Sequence, residues 1–180
     1  VQCNVLDRPG LEKVRDSIVA RFGRVDVLIN AAGGNQPGAT IGVDASIQEL
    51  DFGAFRQVVE LNLDGTVLPS LVFAKILIAQ RQGSMINFSS MAATQAITRV
   101  IGYSAAKAAV DNFTKWMAVE LAQKYGPGLR VNAIAPGFFV AEQNRKLLLN
   151  DDGTLTPRGK LVMAKTPFKR FGEASELHGA

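Results

Sequence analysis

Three short apolar runs, separated by stretches with helical spacing, constrain the fold of this chain most strongly. The first run is rich in β-branched residues, and each run stops at small or polar residues and predicts a strand. Strands that alternate with helices of ten residues or more imply right-handed crossovers and a parallel sheet covered by helices on both faces. The sequence therefore predicts a single domain of α/β class with a doubly wound parallel sheet. The predicted strands are residues 25–29, 85–88 and 129–134, and the predicted helices are residues 11–19, 55–79 and 103–124.

The composition excludes several classes of protein. The chain has 180 residues, of which 47% are apolar, and its net charge of +4 comes from basic residues scattered among 16 acidic ones, so no nucleic-acid partner is expected. Cys3 and His178 are the only cysteine and histidine, which excludes an internal disulfide and a cysteine- or histidine-rich metal site. The longest apolar stretch, residues 66–79, is shorter than the roughly 20 residues of a membrane span. Without a signal peptide, we expect a cytoplasmic protein with no membrane and no metal.

The ends of the predicted strands are the places to look for a binding site, because ligands of open α/β sheets bind at the carboxyl ends of the strands. Small residues there let a flat or sugar-like ligand approach the backbone closely. The first strand ends in Asn30, Ala31, Ala32 and Gly33, the second in Ser89 and Ser90, and the third in Pro136 and Gly137.

Tyr103 and Lys107 lie four residues apart at the start of the third predicted helix, so their side chains share one face. An ammonium at about 4 Å stabilises a phenolate by roughly 4 kcal/mol at an effective dielectric near 20, which makes the phenol a better acid and base near neutral pH. The alternative is a surface tyrosine that packs on the lysine stem.

Two polar residues in the predicted elements add to this pair. Ser90 ends a strand 13 positions before Tyr103 and can donate a hydrogen bond to a carbonyl oxygen, whereas Ser89 is expected to cap or turn the chain. Asn62 interrupts an apolar helical stretch, a position that helix propensity disfavours. It either breaks the helix together with Gly65 or supplies an amide that holds a kink or a water near Tyr103.

Taken in order, Asn30-Ala-Ala-Gly33, Asn62, Ser90, Tyr103-Ser-Ala-Ala-Lys107 and Pro136-Gly137 resemble the signature of the short-chain dehydrogenase/reductase (SDR) family. The resemblance covers practically the whole chain and implies a Rossmann-type fold. It also implies an enzyme that binds NAD or NADP and interconverts a carbonyl and a secondary alcohol. It makes Tyr103 the general acid and base, Ser90 the residue that orients the carbonyl, and Asn62 the support of a proton-relay water. Lys107 assists Tyr103 and binds the nicotinamide ribose. The implied cofactor-binding residues are Asn4, Val5, Asn30, Ala31, Ala32, Gly33, Tyr103, Lys107, Pro136 and Gly137.

The chain departs from the family pattern in two respects. It contains no Gly-rich dinucleotide fingerprint, and residues 1–4 resemble the family's third strand, so we expect a fragment without the N-terminal Gly-rich βαβ unit and the C-terminal strand. The choice between NAD and NADP is therefore left open. Ala141 stands where many relatives have a threonine, and Asn4 replaces a common aspartate.

Within the family the chain resembles the D-mannonate oxidoreductase (fructuronate reductase) branch. The motifs are Ala32-Gly-Gly-Asn-Gln-Pro37, Phe138-Phe139, Glu142-Gln-Asn-Arg145, Thr156-Pro-Arg-Gly159 and Thr166-Pro-Phe-Lys-Arg-Phe-Gly172. Amides and one cation suit a sugar acid, so Asn35, Gln143, Asn144 and Arg145 are expected to bind the substrate with Ser90; otherwise they are solvated residues of a lid.

Three alternatives remain open: a 3-oxoacyl reductase, a sugar-alcohol dehydrogenase, and a noncatalytic remnant. The resemblance also implies a homo-oligomer, a dimer or tetramer, with Phe113, Trp116 and Met117 in the interface.

Overall fold

The computed structural model of the chain describes residues 1–142 and 144–179. Contacts between residues separate two compact units, Val1–Ala135 and Pro136–Ala180. The first unit has a three-stranded parallel sheet of β1 (Val27–Asn30), β2 (Gly83–Phe88) and β3 (Leu129–Ile134), in the order β1-β2-β3. The predicted α/β class and parallel sheet are confirmed.

In the first unit, one α-helix precedes β1 and three α-helices connect the strands. Local signals in the sequence mark several of their ends. α1 (Arg8–Phe22) has a proline in its first turn and ends at Gly23, which adopts the left-handed conformation with φ 75°. The side chain of Asp51 caps α2 (Phe52–Val59) by accepting from the backbone N–H groups of Gly53 and Ala54. α3 (Gly65–Gln80) precedes β2, and α4 (Ile101–Tyr125) precedes β3.

A π-helical turn, Glu60–Asp64, joins α2 to α3. The resulting helix, Phe52–Gln80, is 29 residues long and, by length and composition alone, could cross a membrane. The expectation that no apolar stretch is long enough for a membrane span rested on residues 66–79 alone. The helix Phe52–Gln80 is longer than that stretch, so the expectation is wrong on length. Core helices of soluble proteins pass the same test, and the polar side chains of Asn62, Thr66 and Ser70 are buried here against protein.

The core of the first unit lies between the helices and one face of the sheet. Leu28, Met85 and Val131 are paired across the strands and contribute to it, together with residues of α1, α3 and α4. The neighbouring residues of β1 point to the opposite face, where Val27 and Ile29 are 50% and 58% exposed. The helices of this unit therefore cover one face of its sheet.

Residues 1–4, expected to correspond to a strand, lie outside the sheet. Asn4 begins a turn instead, accepting from the N–H of Leu6 with its side chain and from the N–H of Asp7 with its carbonyl. The reason is that a strand needs a hydrogen-bonded neighbour, whereas a local turn satisfies the same groups within the chain.

The second unit contains two short helices, α5 (Arg145–Leu148) and α6 (Pro157–Lys165). Thr156 caps α6 by accepting from the N–H of Gly159, and Leu148 and Val162 are buried. Isolated bridges join Leu149 to Leu155, and Phe139 to Gly172.

Candidate active site

Asn62 is the anchor of the candidate site. It lies fully buried in the π-helical turn, where its side-chain NH₂ donates to the carbonyls of Val58 and Gly34, both at 2.7 Å. Its side-chain oxygen accepts from the N–H of Gly34 at 3.0 Å. One amide therefore binds both backbone groups of the residue that follows the predicted Asn30-to-Gly33 motif. The sequence suggested either that Asn62 breaks the helix or that its amide holds a kink or a water near Tyr103. The π-helical turn and the bonds to Gly34 and Val58 fit both a helix break and an amide that holds a kink.

Gly33 brings Asn62 and Lys107 together. A Cβ atom built on Gly33 would lie 2.6 Å from the side-chain oxygen of Asn62 and 3.3 Å from Nζ of Lys107. Both side chains thus occupy the space beside the glycine, and a larger residue would displace at least one of them. This contact explains why a residue without a side chain is needed here.

Lys107 lies on α4 with its side chain turned inward. The residue is 4% exposed, and its Nζ donates to the carbonyl of Phe88 at 2.7 Å. The same nitrogen lies 5.6 Å from the centre of the Tyr103 ring, so the predicted proximity of the two side chains is confirmed. One N–H of the ammonium is used by Phe88, which leaves two others available to a ligand.

Burial also changes the proton affinity of this ammonium. It lowers the pKa of Lys107 from 10.5 to about 8, because a buried charge loses its solvation, and Asp111 opposes the shift by favouring the charged form. The ammonium therefore predominates below about pH 8 and is lost within a pH range that enzymes experience.

Tyr103 lies in the first turn of α4 and packs against a small cluster of buried residues, Ala39, Ala54 and Val58. Ala39 belongs to the loop after β1, and the other two belong to α2. Within the described residues, the hydroxyl of Tyr103 makes no hydrogen bond, to Ser90 and Lys107 included. It is therefore available to a ligand.

Ser90 caps a short 3₁₀ turn after β2, where its side-chain oxygen accepts from the N–H of Ala92 at 3.1 Å. The prediction that Ser89 caps or turns the chain is wrong. Ser89 continues the pairing of β2 with β3, because its N–H donates to the carbonyl of Ile134. The hydroxyl of Ser89 is buried without a partner among the described residues. Capping uses an acceptor lone pair of Ser90 and leaves its hydroxyl proton free to donate.

A connected series of buried polar side chains starts at Asn62 and was not predicted from the sequence. The carbonyl of Asn62 accepts from Thr66, whose carbonyl accepts from Ser70. Asn30 donates to Ser70 and to Asn87, both at 2.8 Å, and Asn87 donates to Thr114 at 2.9 Å. This series of hydrogen bonds thus links α3, β1, β2 and α4. Its signal in the sequence is an asparagine, Asn87, inside an otherwise apolar strand.

Asn30 therefore has a structural role, because its side chain joins β1 to α3 and to β2. The residue is 6% exposed, and its amide is bonded to Ser70 and Asn87 inside the protein. The prediction that Asn30 binds a cofactor directly has no support from this geometry, because both N–H groups of its amide are already bonded within the protein. Ala31 and Gly33, in contrast, are exposed at the end of β1, and Ala32 is half-buried.

Other predicted binding residues lie near the edge of the first unit. The amide of Asn35 donates to Thr40 at 2.7 Å, whereas its oxygen is buried without a partner among the described residues, so a hydroxyl donor would satisfy it. Val5 packs against Gly65, and Asn4 is exposed.

Five of the predicted residues fall in the range of the second unit, namely Pro136, Gly137, Gln143, Asn144 and Arg145. Gln143 lies outside the described residues. Both ends of the Asn144 amide brace the chain locally, since its oxygen accepts from the N–H of Ala141 and its NH₂ donates to the carbonyl of Phe139. Arg145 and Gly137 are exposed, and Pro136 is half-buried. A Cβ atom on Gly137 would meet nothing within 4 Å, so its backbone is open to a ligand. In the part of the chain that the structure describes, no three acidic, cysteine or histidine residues form a group that could hold a metal.

Comparison with known proteins identifies the family. The sequence profile described as short chain dehydrogenase matches residues 1–152. The chain belongs to this family. The SDR chain is 46% identical to the uncharacterized oxidoreductase UxuB of Bacillus subtilis (strain 168) over 187 aligned positions, covering 99% of this chain and 66% of the relative.

Two solved SDR structures are also similar. One is a candidate D-mannonate oxidoreductase from Haemophilus influenza with bound NAD, with a TM-score of 0.88 and 41% identity over 99% of this chain and 66% of the other. The other is a gluconate 5-dehydrogenase from Burkholderia cenocepacia J2315 in complex with NADP and tartrate, with a TM-score of 0.83 and 29% identity over 98% and 64% of the two chains. The SDR chain thus spans about two thirds of the length of the relatives it matches.

Proposed function

We propose that the protein is an NAD(P)-dependent oxidoreductase that interconverts a carbonyl and a secondary alcohol, with a sugar acid as substrate. The observation that supports this most strongly is the buried ammonium of Lys107, 5.6 Å from the centre of the Tyr103 ring and beside Gly33 and Asn62. Among the described residues, Lys107 forms no ion pair; burying such a charge is costly, and a role in the reaction offsets that cost.

Each residue of the site has a separate task. In the direction of reduction, the hydroxyl of Tyr103 donates its proton to the substrate oxygen, and that oxygen becomes the alcohol. The hydroxyl of Ser90 donates a hydrogen bond to the same oxygen and stabilises the negative charge that develops there. The ammonium of Lys107 favours the phenolate that Tyr103 leaves behind. Asn62 holds the backbone of Gly34 and supports the water that returns a proton.

The residues present fit the nicotinamide end of a cofactor. Gly33 is exposed at the end of β1 and carries no side chain that would keep a ligand from its backbone, and Lys107 retains N–H groups that can donate to ribose hydroxyls. NAD or NADP, when bound, supplies or accepts the hydride. Candidate contacts besides these are Asn4, Val5, Ala31, Ala32, Pro136 and Gly137.

Support for a sugar acid comes from polar groups and from relatives. The unpartnered oxygen of Asn35 can accept from a sugar hydroxyl, and Arg145 is an exposed cation suited to a carboxylate. The similar structures include a candidate D-mannonate oxidoreductase and a gluconate 5-dehydrogenase with tartrate. Gln143 and Asn144 complete the proposed substrate set.

The test is to measure oxidation and reduction by the whole protein with NAD(H) and NADP(H). Fructuronate and mannonate are compared with a 3-oxoacyl thioester and with a neutral sugar alcohol. We expect activity on the sugar acids, and Tyr103→Phe should lower kcat by about 10³-fold or more while cofactor binding persists. Tyr125→Phe, on the same helix, serves as the matched control.

Four results would contradict all or part of this proposal. Activity confined to the acyl thioester would favour a 3-oxoacyl reductase, and activity confined to the neutral substrate would favour a sugar-alcohol dehydrogenase. Full activity of Tyr103→Phe would exclude the proposed chemistry, and a protein that neither turns over nor binds cofactor would be the noncatalytic alternative.

We also propose that the protein forms a homo-oligomer through α4. Trp116 is 54% exposed and stacks on Phe113, with ring centres 6.4 Å apart, and Val119 is exposed one turn later. Met117, which was expected in the interface, lies in the core instead, because its position on the helix turns it toward the sheet. The exposed apolar side chains are those that a second copy would cover.

A further inference from the structure

Arg99 has an unusual backbone conformation immediately before α4. Its φ is 78°, in the left-handed region that is unfavourable for a residue with a Cβ atom. α4 itself starts without a side-chain cap, since Val100 at the cap position provides none. The direction in which the chain enters α4, and so the placement of Tyr103 in its first turn, must be set by other contacts.

Those contacts are a reciprocal pair of hydrogen bonds with Ile41, which we call the Arg99–Ile41 clasp. The N–H of Ile41 donates to the carbonyl of Arg99 at 3.0 Å, and Nε of Arg99 donates to the carbonyl of Ile41 at 2.8 Å. A glycine would adopt the left-handed conformation more easily but could not form the second bond. The clasp thus gives a physical reason for an arginine in this strained conformation.

The clasp holds a segment that contacts Tyr103. Ile41 follows Ala39 by two residues, and Ala39 is fully buried in the cluster against which Tyr103 packs. The same segment is tied internally by the bond from Asn35 to Thr40, and Gly34 is held by Asn62. The loop after β1 is therefore fixed beside Asn62 and again at the clasp, with Ala39 between the two points.

We propose that Arg99 is a positioning residue for proton transfer: through the Arg99–Ile41 clasp it presses Ala39 against the ring of Tyr103 and so limits the directions of the phenol hydroxyl. The proposal rests on the proposed function of Tyr103 and adds a residue outside the group that touches the substrate. Without the clasp, the loop moves away from the ring, and the hydroxyl spends less time aligned with the substrate oxygen.

The test compares Arg99→Ala and Arg99→Lys in the whole protein. Arg99→Ala should lower kcat by about tenfold with little change in the KM of the cofactor, because alignment is lost and binding is not. The solvent deuterium isotope effect on kcat should rise, since proton transfer becomes slower. Arg99→Lys should recover part of the rate, because its ammonium can reach the carbonyl of Ile41. Arg81→Ala is the matched control, an exposed arginine with φ 55° at the end of α3.

Hydrogen exchange at the amide of Ile41 reports on the clasp independently of turnover, and it should accelerate in Arg99→Ala. Faster exchange with unchanged kcat and isotope effect would overturn the proposal and leave the clasp a purely structural feature. Unchanged exchange would overturn it as well. If Tyr103→Phe were fully active, the proposed function would fail and this inference with it, whereas the exchange rate would still show whether the clasp exists.

Discussion

Gly33→Ala should disrupt the candidate site through steric overlap with Asn62, in addition to the backbone strain of a residue with a Cβ atom at φ 159°. The added methyl carbon would lie 2.6 Å from the side-chain oxygen of Asn62, about 0.8 Å closer than ordinary carbon–oxygen contact. Asn62 is fully buried and bonded to Gly34 and Val58, so it has no free space to move into. Relief of the overlap must stretch or break those bonds.

The expected loss of stability follows from these contacts. Overpacking a filled site costs about 1–3 kcal/mol, and each weakened buried hydrogen bond adds about 1 kcal/mol. We expect Gly33→Ala to lower the free energy of unfolding by about 2–4 kcal/mol. The fluorescence of Trp116, the only tryptophan, can follow urea unfolding of the unit that contains Gly33.

Two controls separate overlap with Asn62 from other effects. Gly42→Ala changes an exposed glycine of the same loop, whose added methyl would meet only Ala45, its side chain at 3.2 Å and its backbone nitrogen at 3.8 Å, so it should cost less than about 1 kcal/mol. In an Asn62→Ala background, Gly33→Ala should cost at least about 1 kcal/mol less than in the original protein, because the overlapping oxygen is gone while the backbone strain at Gly33 remains. An equal cost in both backgrounds, or no cost in the original protein, would refute the reasoning.

Two further predictions concern α4. Because the pKa of Lys107 is about 8 in the folded protein and 10.5 when exposed, the unfolded state binds more protons between these values, so this residue makes stability rise with pH there, by up to about 3 kcal/mol. Lys107→Met should remove that rise from urea-unfolding curves, and an identical pH dependence in both proteins would contradict the buried-ammonium assignment. Trp116→Glu should reduce the light-scattering mass to that of one chain, whereas Ser17→Glu, at an exposed position of α1, should not; a single-chain mass before mutation would remove the oligomer proposal.

Local patterns were enough to predict the strands and the main helices. The runs that became β1, β2 and β3 are short and apolar, and Gly23 ended α1 where its sequence predicted. The four-residue spacing of Tyr103 and Lys107 also placed both at the start of one helix. Strands, helix ends and side-chain spacing on one helix depend on residues that are close together in the sequence, so they can be predicted from the sequence.

The sequence by itself determined the α/β class, the order of the elements and which polar residues stand at the strand ends, because backbone conformation and side-chain period are local properties. Only the tertiary structure decided what those residues touch. Asn30 turned into the core toward Asn87, Ser90 took the capping role expected of Ser89, and Arg99 paired with Ile41, 58 positions away. These partners come from distant segments, and a hydrogen bond forms where packing brings a donor and an acceptor together.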